Sequence, residues 1–268
     1  MYSSKHIFAS IALCLAFILT SSCSTTTQTT QEVEIPTFLE DEAFLYCMDP
    51  SKGPFQCVGS FRREDKSLIG GGTLINENTI LTAAHVVEPS TKAHWFEVGG
   101  SLYLIKSINL HEGYTPSPVR NDIATVELYD NVPHIKFPKV NMDPLFLQQF
   151  RPLTTVGFSL GIKKISKPGI MFYYGSLEGE PNYFKMLPIY ATMKFGDSGG
   201  GVFAERDGEY MLVGIVSYIQ FYHGVVIDNS AVKVDTYRNW LQNAGVLSTE
   251  WSPVDEINTD MPYEATPY

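Results

Sequence analysis

Short hydrophobic segments separated by turn-forming residues fill the chain from about Thr37 onwards. They have the length, and the content of β-branched and aromatic residues, that are typical of strands. The predicted strands are Ser67–Ile75, Thr79–Ala84, Trp95–Val98, Leu102–Ile108, Ile123–Leu128, Leu153–Phe158, Gly169–Tyr174, Gly200–Ala204, Tyr210–Tyr218 and Gly224–Ile227. Turn sequences such as Gly99-Gly100 lie between them, without intervening helical patterns. The pattern predicts an all-β domain, built as a sandwich or as barrels.

One helical pattern lies near the C-terminal end. Val234, Tyr237 and Leu241 recur at the spacing of a single helix face. Asp235 is a suitable residue to begin this helix, and Gly245 is a suitable residue to end it. We therefore predict a single C-terminal helix after the last strand.

The longest apolar run, Ile7–Leu19, contains 13 residues, which is too short for an ordinary transmembrane helix. It follows the positive charge of Lys5 and precedes small polar residues, in the order typical of a secretory signal peptide. We expect an export signal over 1–22, a polar tether over 23–36, a folded domain over 37–245 and an acidic tail over 246–268.

Two cleavage sites fit this signal. Thr20-Ser21-Ser22-Cys23 resembles a bacterial lipobox, in which the cysteine becomes the lipid-modified first residue, although Thr20 stands where leucine is usual. Ordinary cleavage after Ser24 is the alternative. We favour lipidation at Cys23, because the low-complexity segment behind it is typical of a flexible tether. The mature protein is then expected in the periplasm or the outer cell envelope, and ordinary cleavage would make it a secreted protein.

If the protein is exported, its two remaining cysteines can form a disulfide. Cys47 and Cys57 flank the turn-forming sequence Asp49–Pro54. In an oxidising compartment this arrangement favours a disulfide between them. Two unpaired, small apolar side chains are the alternative. The ligands for a zinc site are too few.

The composition narrows the range of functions. The chain has 268 residues, 44% of them hydrophobic, which excludes a wholly disordered protein. Its formal net charge is −10 and it has no basic run, so nucleic acid is not an expected partner. No metal-ligand cluster or cofactor motif is visible in the sequence, and we expect neither a metal nor a cofactor.

Candidate chemistry lies in three separated segments. A predicted strand ends in small residues followed by His85, which we expect at the strand end; Asp122 opens another predicted strand, and Ser198 lies between glycines on a predicted tight turn. Such a turn can present a hydroxyl for attack on a carbonyl, together with N–H groups for the resulting oxyanion. Each segment is weak evidence alone, but together they supply histidine, aspartate and serine in that order.

In these motifs the sequence resembles the chymotrypsin/trypsin family of serine endopeptidases. The matching stretches are GGGTLI at 70–75, LTAAH at 81–85, NDIA at 121–124, GDSGG at 196–200 and LVGIVSY at 212–218. The order His, Asp, Ser is that of this family and differs from the order in subtilisin and the α/β-hydrolases. The resemblance implies two packed, six-stranded antiparallel β-barrels with a C-terminal helix, and an active site in the cleft between them.

The resemblance also implies the roles of the site residues. Ser198 would be the nucleophile, His85 the general base and Asp122 the residue that orients the imidazole. The N–H groups of Gly196 and Ser198 would form the oxyanion hole. The expected partners are protein or peptide substrates, and the expected state is a monomer.

Substrate binding is implied for four further positions. Ser217 would lie beside Asp122, and the backbone of Ser217, Tyr218 and Ile219 would pair with the substrate as an added strand. Thr192 stands where trypsin-like enzymes carry aspartate, and Ile219 stands where the family often has glycine. We therefore expect cleavage after small or medium apolar residues.

The sequence departs from the family in its activation segment. Zymogens of the family are cut before an Ile-Val-Gly-Gly-like sequence, and the new amine pairs with the acid before the serine. That acid is Asp197 here, but no such cut site is visible between Gln31 and Phe55. We expect an internal donor instead, with Lys194 and nearby backbone N–H groups as candidates. A cryptic cut in the same segment is the alternative.

Two other functions fit the same motifs. One is a catalytically inactive binding protein with the same fold on the cell envelope, because fold alone does not guarantee activity. The other is a protease of the HtrA type, which carries a peptide-binding domain after the protease. Only 70 residues follow Ser198, and the last strands and the helix use them. An active endopeptidase therefore remains the favoured interpretation.

Overall fold

The structure is a computed structural model that describes residues 44–46 and 53–247, apart from 149, 167–170, 178–179, 189–192 and 223–224. The side chains of 44–46, 177, 188, 219–222 and 225–228 also lie outside the description. The predicted signal, tether and acidic tail fall outside these ranges almost entirely. No helix of the described residues is long and apolar enough to cross a membrane.

The described residues form mainly short β-strands. The strands are β1 Phe44–Tyr46, β2 Val58–Arg62, β3 Leu68–Leu74, β4 Thr79–Thr82, β5 Trp95–Val98, β6 Ser101–Leu110, β7 Thr115–Pro116, β8 Val119–Arg120, β9 Ala124–Leu128, β10 Lys139–Val140, β11 Pro152–Gly157, β12 Lys164–Ser166, β13 Met171–Leu177, β14 Glu180–Pro188, β15 Gly201–Arg206, β16 Glu209–Tyr222 and β17 Val225–Lys233. The helices are α1 Ala84–Val87 and α2 Arg238–Asn243, with 3₁₀ turns at Pro89–Thr91, Ser159–Gly161 and Val234–Tyr237.

The first half of the domain is a closed barrel of six antiparallel strands. Its strand order is β2-β3-β4-β9-β6-β5. Phe61 on β2 is paired in register with Phe96 on β5, and both rings are fully buried, with centroids 4.9 Å apart. A Cβ at Gly72 on β3 would lie 2.7 Å from the Phe61 ring, so the barrel core needs a glycine at this position.

The second half closes a ring as well. Strand β11 pairs with β13, and the pairing continues through β14, β17, β16 and β15 back to β11. Three more strands extend the same nine-stranded sheet: β12 and β1 lie outside β11, and β10 pairs with β16 in parallel. The predicted pair of six-stranded barrels is therefore confirmed, with these three strands added to the second one.

The hydrophobic pattern missed several strands, among them β2, β12 and β14. Strand β14 begins with Glu180, Pro181 and Asn182, which are unfavourable in strands. Its pairing with both β13 and β17 nevertheless buries Tyr183 and Phe184. This segment is therefore a strand because it pairs within the closed ring, which joins residues far apart in sequence, and not because of its local residue types.

The predicted C-terminal helix is present, but it begins as a 3₁₀ turn. The turn spans Val234–Tyr237 and continues into α2. Val234, Tyr237 and Leu241 are all buried, so the predicted apolar face is the one that packs on the domain.

Candidate active site

His85 belongs to α1, the single helical turn that follows β4. It was expected at the strand end, and the chain instead turns into the helix at Ala84. The backbone N–H of His85 donates to Asp122 Oδ1 at 2.9 Å, and its Nδ1 lies 2.7 Å from Asp122 Oδ2. With a proton on Nδ1, this contact leaves Nε2 free of its own proton. The site therefore holds an imidazole whose unprotonated nitrogen can act as a base.

Asp122 is a buried carboxylate with a full set of partners. Its side chain has no exposed area, and besides His85 it accepts a hydrogen bond from Ser217 Oγ at 2.5 Å. Burial alone would raise the pKa of Asp122, but the hydrogen bonds and charge of His85 and the hydrogen bond of Ser217 lower it below its ordinary value. Asp122 is therefore ionised at neutral pH and can stabilise a protonated His85.

Ser198 lies on a turn that touches both barrels. Its carbonyl accepts a hydrogen bond from Gly71 N–H of β3 at 2.7 Å. The next residue, Gly199, donates its N–H to Val216 of β16 at 2.8 Å. Gly199 has φ +79°, and a Cβ there would lie 2.2 Å from the Gly71 carbonyl oxygen. The glycines of both motifs therefore allow the serine turn to lie directly against the first barrel.

The serine hydroxyl is not hydrogen-bonded to the His85–Asp122 pair, but the serine turn is joined to the strand that contacts this pair. Ser198 is half-buried, and no hydrogen bond joins its Oγ to the His85 ring in the described part of the chain. Ser217, which contacts Asp122, directly follows Val216, which holds the serine turn. In enzymes without substrate such catalytic hydrogen bonds are often long and tighten when substrate binds. Strand β16 therefore contacts both the serine turn, through Val216, and the His85–Asp122 pair, through Ser217.

Two backbone donors of the serine turn are unused. Within the described residues, neither the Gly196 N–H nor the Ser198 N–H donates a hydrogen bond. Gly196 has φ +99°, a conformation that glycine adopts without steric cost. These are the two groups predicted to form the oxyanion hole, and they are available for a ligand atom.

Asp197 has internal partners, as the sequence predicts. Its Oδ1 accepts from the backbone N–H of Ser159, and its Oδ2 accepts from the backbone N–H of Lys194, both at 2.9 Å. Of the candidates named from the sequence, Lys194 and nearby backbone N–H groups, the described contact is the backbone N–H of Lys194. Ser159 was not named, because it comes from the turn after β11. These bonds hold the turn that carries Gly196 and Ser198.

The predicted substrate-binding residues are only partly described. Ser217 lies at a β-bulge in the pairing of β16 with β17, where Val216 pairs with Ala231 and Tyr218 pairs with Ser230. A bulge re-aims a side chain, and here it brings Ser217 onto Asp122. Ile219 is a residue of β16, but its side chain lies outside the described part, as does all of Thr192.

The cysteine predictions have different outcomes. Cys57 is a free thiol with no exposed area, and burial raises its pKa to about 12. The structure therefore does not support the disulfide with Cys47, and the alternative of a small buried apolar side chain describes Cys57 better. Cys47 and the predicted lipidation site Cys23 lie outside the described residues.

Tyr183 is a site residue that sequence reasoning missed. It is 1% exposed on β14, and its hydroxyl accepts the backbone N–H of Asp122 at 3.0 Å. The Tyr218 ring packs against it, with centroids 5.8 Å apart. No motif marks Tyr183, because its contact with Asp122 joins residues 61 positions apart.

We expect Tyr183→Phe to lower the free energy of unfolding by about 1–3 kcal/mol, because the buried Asp122 N–H loses its acceptor. Urea unfolding of both proteins measures the change. Tyr129→Phe is a matched control, because Tyr129 is 61% exposed. An unchanged midpoint for Tyr183→Phe would show that this hydrogen bond contributes nothing.

Comparison with known proteins agrees with this geometry. The family model described as Trypsin matches residues 48–149, which include His85 and Asp122 but not Ser198. A trypsin from Sarcophaga bullata is 33% identical over 66 residues, which is 22% of this chain and 26% of that protein. The trypsin Tyr p 3.0101 from Tyrophagus putrescentiae is 28% identical over 206 residues, or 64% of this chain and 70% of that protein.

Proposed function

We propose that this chain, which has the trypsin fold and a trypsin-family domain, is an active serine endopeptidase that cleaves peptide bonds through an acyl-enzyme on Ser198. The observation that carries the proposal is the contact between His85 Nδ1 and Asp122 Oδ2 at 2.7 Å. The carboxylate side of this pair is sealed, whereas the His85 side chain is 34% exposed towards solvent. A base that is fixed on one side and open on the other suits proton transfer from a serine.

The chemistry follows from the proton positions. His85 Nε2 removes the proton of Ser198 as the oxygen attacks the scissile carbonyl, and Asp122 stabilises the imidazolium that forms. The carbonyl oxygen becomes an oxyanion, which the N–H groups of Gly196 and Ser198 are free to bind. His85 then gives the proton to the leaving amine. Water repeats the sequence on the acyl-enzyme and restores the serine.

Substrate is proposed to bind as an extended strand along Ser217–Ile219, with a small or medium apolar residue before the cleaved bond. Thr192 supports this preference, because it puts no charge where trypsin-like enzymes carry aspartate. Cleavage sites in digested casein, mapped by mass spectrometry, measure the preference. Cuts mainly after Lys or Arg would overturn it.

Covalent labelling tests the proposed function. A fluorophosphonate probe is expected to modify Ser198 alone, as shown by peptide mapping of the full-length protein after its natural processing. Casein digestion should disappear in parallel with labelling. A protein that binds casein but neither cleaves it nor reacts with the probe would instead be the inactive binding protein.

The labelling rate is expected to rise with pH, with a midpoint above 6.5. Burial alone would lower the pKa of His85, but the hydrogen bond and charge of Asp122, together with the charge of Glu88, outweigh it and raise the pKa. Since the base must be neutral, reactivity appears only above this raised pKa. Second-order rates from pH 5 to 9 measure the profile, and a flat profile would contradict the role of His85.

The raised pKa of His85 affects the stability of the protein in the opposite direction from its activity. Protonated His85 contributes to stability below its unfolded pKa, and this contribution is lost as the pH rises through the raised folded pKa. The protein is therefore expected to gain activity over the range in which it loses this part of its stability.

Export is proposed together with lipidation at Cys23, from the apolar run and the lipobox-like sequence that precedes it. The intact mass of the mature chain decides between the two cleavage sites. A mass that starts at Cys23 and includes acyl groups supports an anchor on the cell envelope, whereas an unmodified chain starting at residue 25 supports secretion.

A further inference from the structure

Asp197 is a buried acid whose surroundings are built closely around it. Its side chain reaches the strand β11, where a Cβ at Gly157 would lie only 2.3 Å from Asp197 Oδ1. Glycine at 157 therefore makes room for the carboxylate. The two backbone N–H donors of Ser159 and Lys194 satisfy one oxygen each, but neither carries a charge.

Lys164 is placed to supply a positive charge to Asp197. In the antiparallel pairing of β11 with β12, Lys164 is the direct partner of Gly157. Paired residues of antiparallel strands point to the same face of the sheet, so the Lys164 side chain leaves the sheet on the face where Asp197 lies. Lys164 is 4% exposed, which is unusual for a lysine unless a negative group faces it.

The electrostatics of Asp197 agree with this arrangement. Burial raises the pKa of Asp197 above its ordinary value, and the hydrogen bonds of Lys194 and Ser159 and the positive charge of Lys164 reduce this rise without reversing it. A buried carboxylate without a positive partner would tend to take up a proton. A neutral Asp197 would accept the two N–H groups more weakly, and the serine turn would be held less firmly.

We propose that Lys164 is a positioning residue that replaces an activation amine: its ammonium is the internal counter-ion that keeps Asp197 ionised and the Gly196–Ser198 turn in its competent form. The enzyme would then need no proteolytic cut to become active. This inference rests on the proposed function, because the turn that Lys164 supports is the proposed oxyanion hole.

The strand β1, which pairs with β12 on the edge opposite β11, also supports the proposal. Its residue Tyr46 pairs with Lys164, so the uncut chain adds a strand to the outer edge of β12. β1 belongs to the stretch between Gln31 and Phe55 in which a cryptic activation cut would have to fall. The same stretch therefore braces the strand of Lys164 when it remains attached.

The test compares Lys164→Met with the wild-type protein. Without the counter-ion the oxyanion donors lose their fixed geometry, so the rate of acylation by a peptide ester should fall by about 10²-fold, mainly in kcat. Lys164→Arg, which keeps the charge, should recover most of the rate. Asp197→Asn should resemble Lys164→Met, and it decides the question if the methionine variant does not fold.

Lys163→Met is the matched control. Lys163 is the neighbouring buried lysine, and its Nζ donates to the Phe55 carbonyl at 2.7 Å. It is expected to lose stability while the acylation rate per labelled site stays at the wild-type level. An equal loss in both lysine variants would reveal a general effect of buried charge and would overturn the proposal.

A double-mutant cycle separates this inference from the proposed function. Lys164→Met and Asp197→Asn should not add: the unfolding equilibrium constant of the double variant should differ by about tenfold from the product of the single effects. This readout needs no enzymatic activity. If the wild type does not react with a fluorophosphonate, the proposed function is overturned, and additivity in the cycle would separately overturn the pairing.

N-terminal sequencing of the active species completes the test. Activity in a chain that still contains residues ahead of β1 supports an internal counter-ion. Activity that appears only after trimming to a new residue near 42–45 would overturn it, because a cut would then be required.

Discussion

Replacing Ser198 with alanine is expected to lower kcat by about 10⁴–10⁶-fold, the loss known for nucleophile variants of Ser-His-Asp enzymes. The variant loses the oxygen that forms the acyl-enzyme, whereas the oxyanion donors remain. Its fold should be unchanged, because Ser198 Oγ makes no hydrogen bond among the described residues and its backbone contacts with Gly71 are kept.

Casein digestion and fluorophosphonate labelling measure this loss, and near-identical urea unfolding shows that the fold is intact. Ser101→Ala is the matched control, because Ser101 is an exposed residue of β6 and its loss should leave kcat unchanged. Full activity in Ser198→Ala would show that another group is the nucleophile. No activity in the wild type would favour the inactive binding protein.

Replacing Asp122 with asparagine is expected to lower kcat by about 10⁴-fold, as the corresponding substitution does in a protease with a Ser-His-Asp triad. The amide would donate a hydrogen bond towards His85 Nδ1 where the carboxylate accepts one, so the proton moves to Nε2. His85 then has no free nitrogen with which to take the proton of Ser198. The imidazolium would also lose its counter-ion.

The kinetic signature of Asp122→Asn is a loss in kcat with little change in KM, because Asp122 has no exposed area and cannot touch the substrate. Asp130→Asn is the matched control, since Asp130 is exposed. Retention of more than about a tenth of wild-type kcat would show that Asp122 is not needed to orient His85.

Asp122→Asn also changes the acid stability. The lowered pKa of Asp122 contributes stability that is present above its ordinary value of 3.8 and is lost as the pH falls through the folded pKa. Asparagine cannot titrate, so this part of the acid unfolding should disappear in the variant. Acid titration followed by circular dichroism measures the difference.

The local motifs carried most of the information about the site. His85, Asp122 and Ser198 were identified from short segments, because each needs a particular local backbone: a strand followed by small residues, a strand opening, and a glycine-rich turn. Ser217 and the need for an internal partner of Asp197 came instead from the family resemblance. The predicted disulfide is not shown, and spacing across a turn could not indicate that Cys57 is a free, buried thiol.

The sequence by itself determined the all-β class, the C-terminal apolar face and the order of the three catalytic candidates, because these depend on periodicity and on residue types within a few positions. The tertiary structure alone decided the closure of the second ring, the support of Asp122 by Tyr183 and the placement of Lys164 opposite Gly157 and Asp197. Each of these joins segments that are distant in the chain. Because the polar groups involved are buried, they cannot form hydrogen bonds with water instead. Such contacts follow from strand pairing across a closed barrel, which no local pattern records.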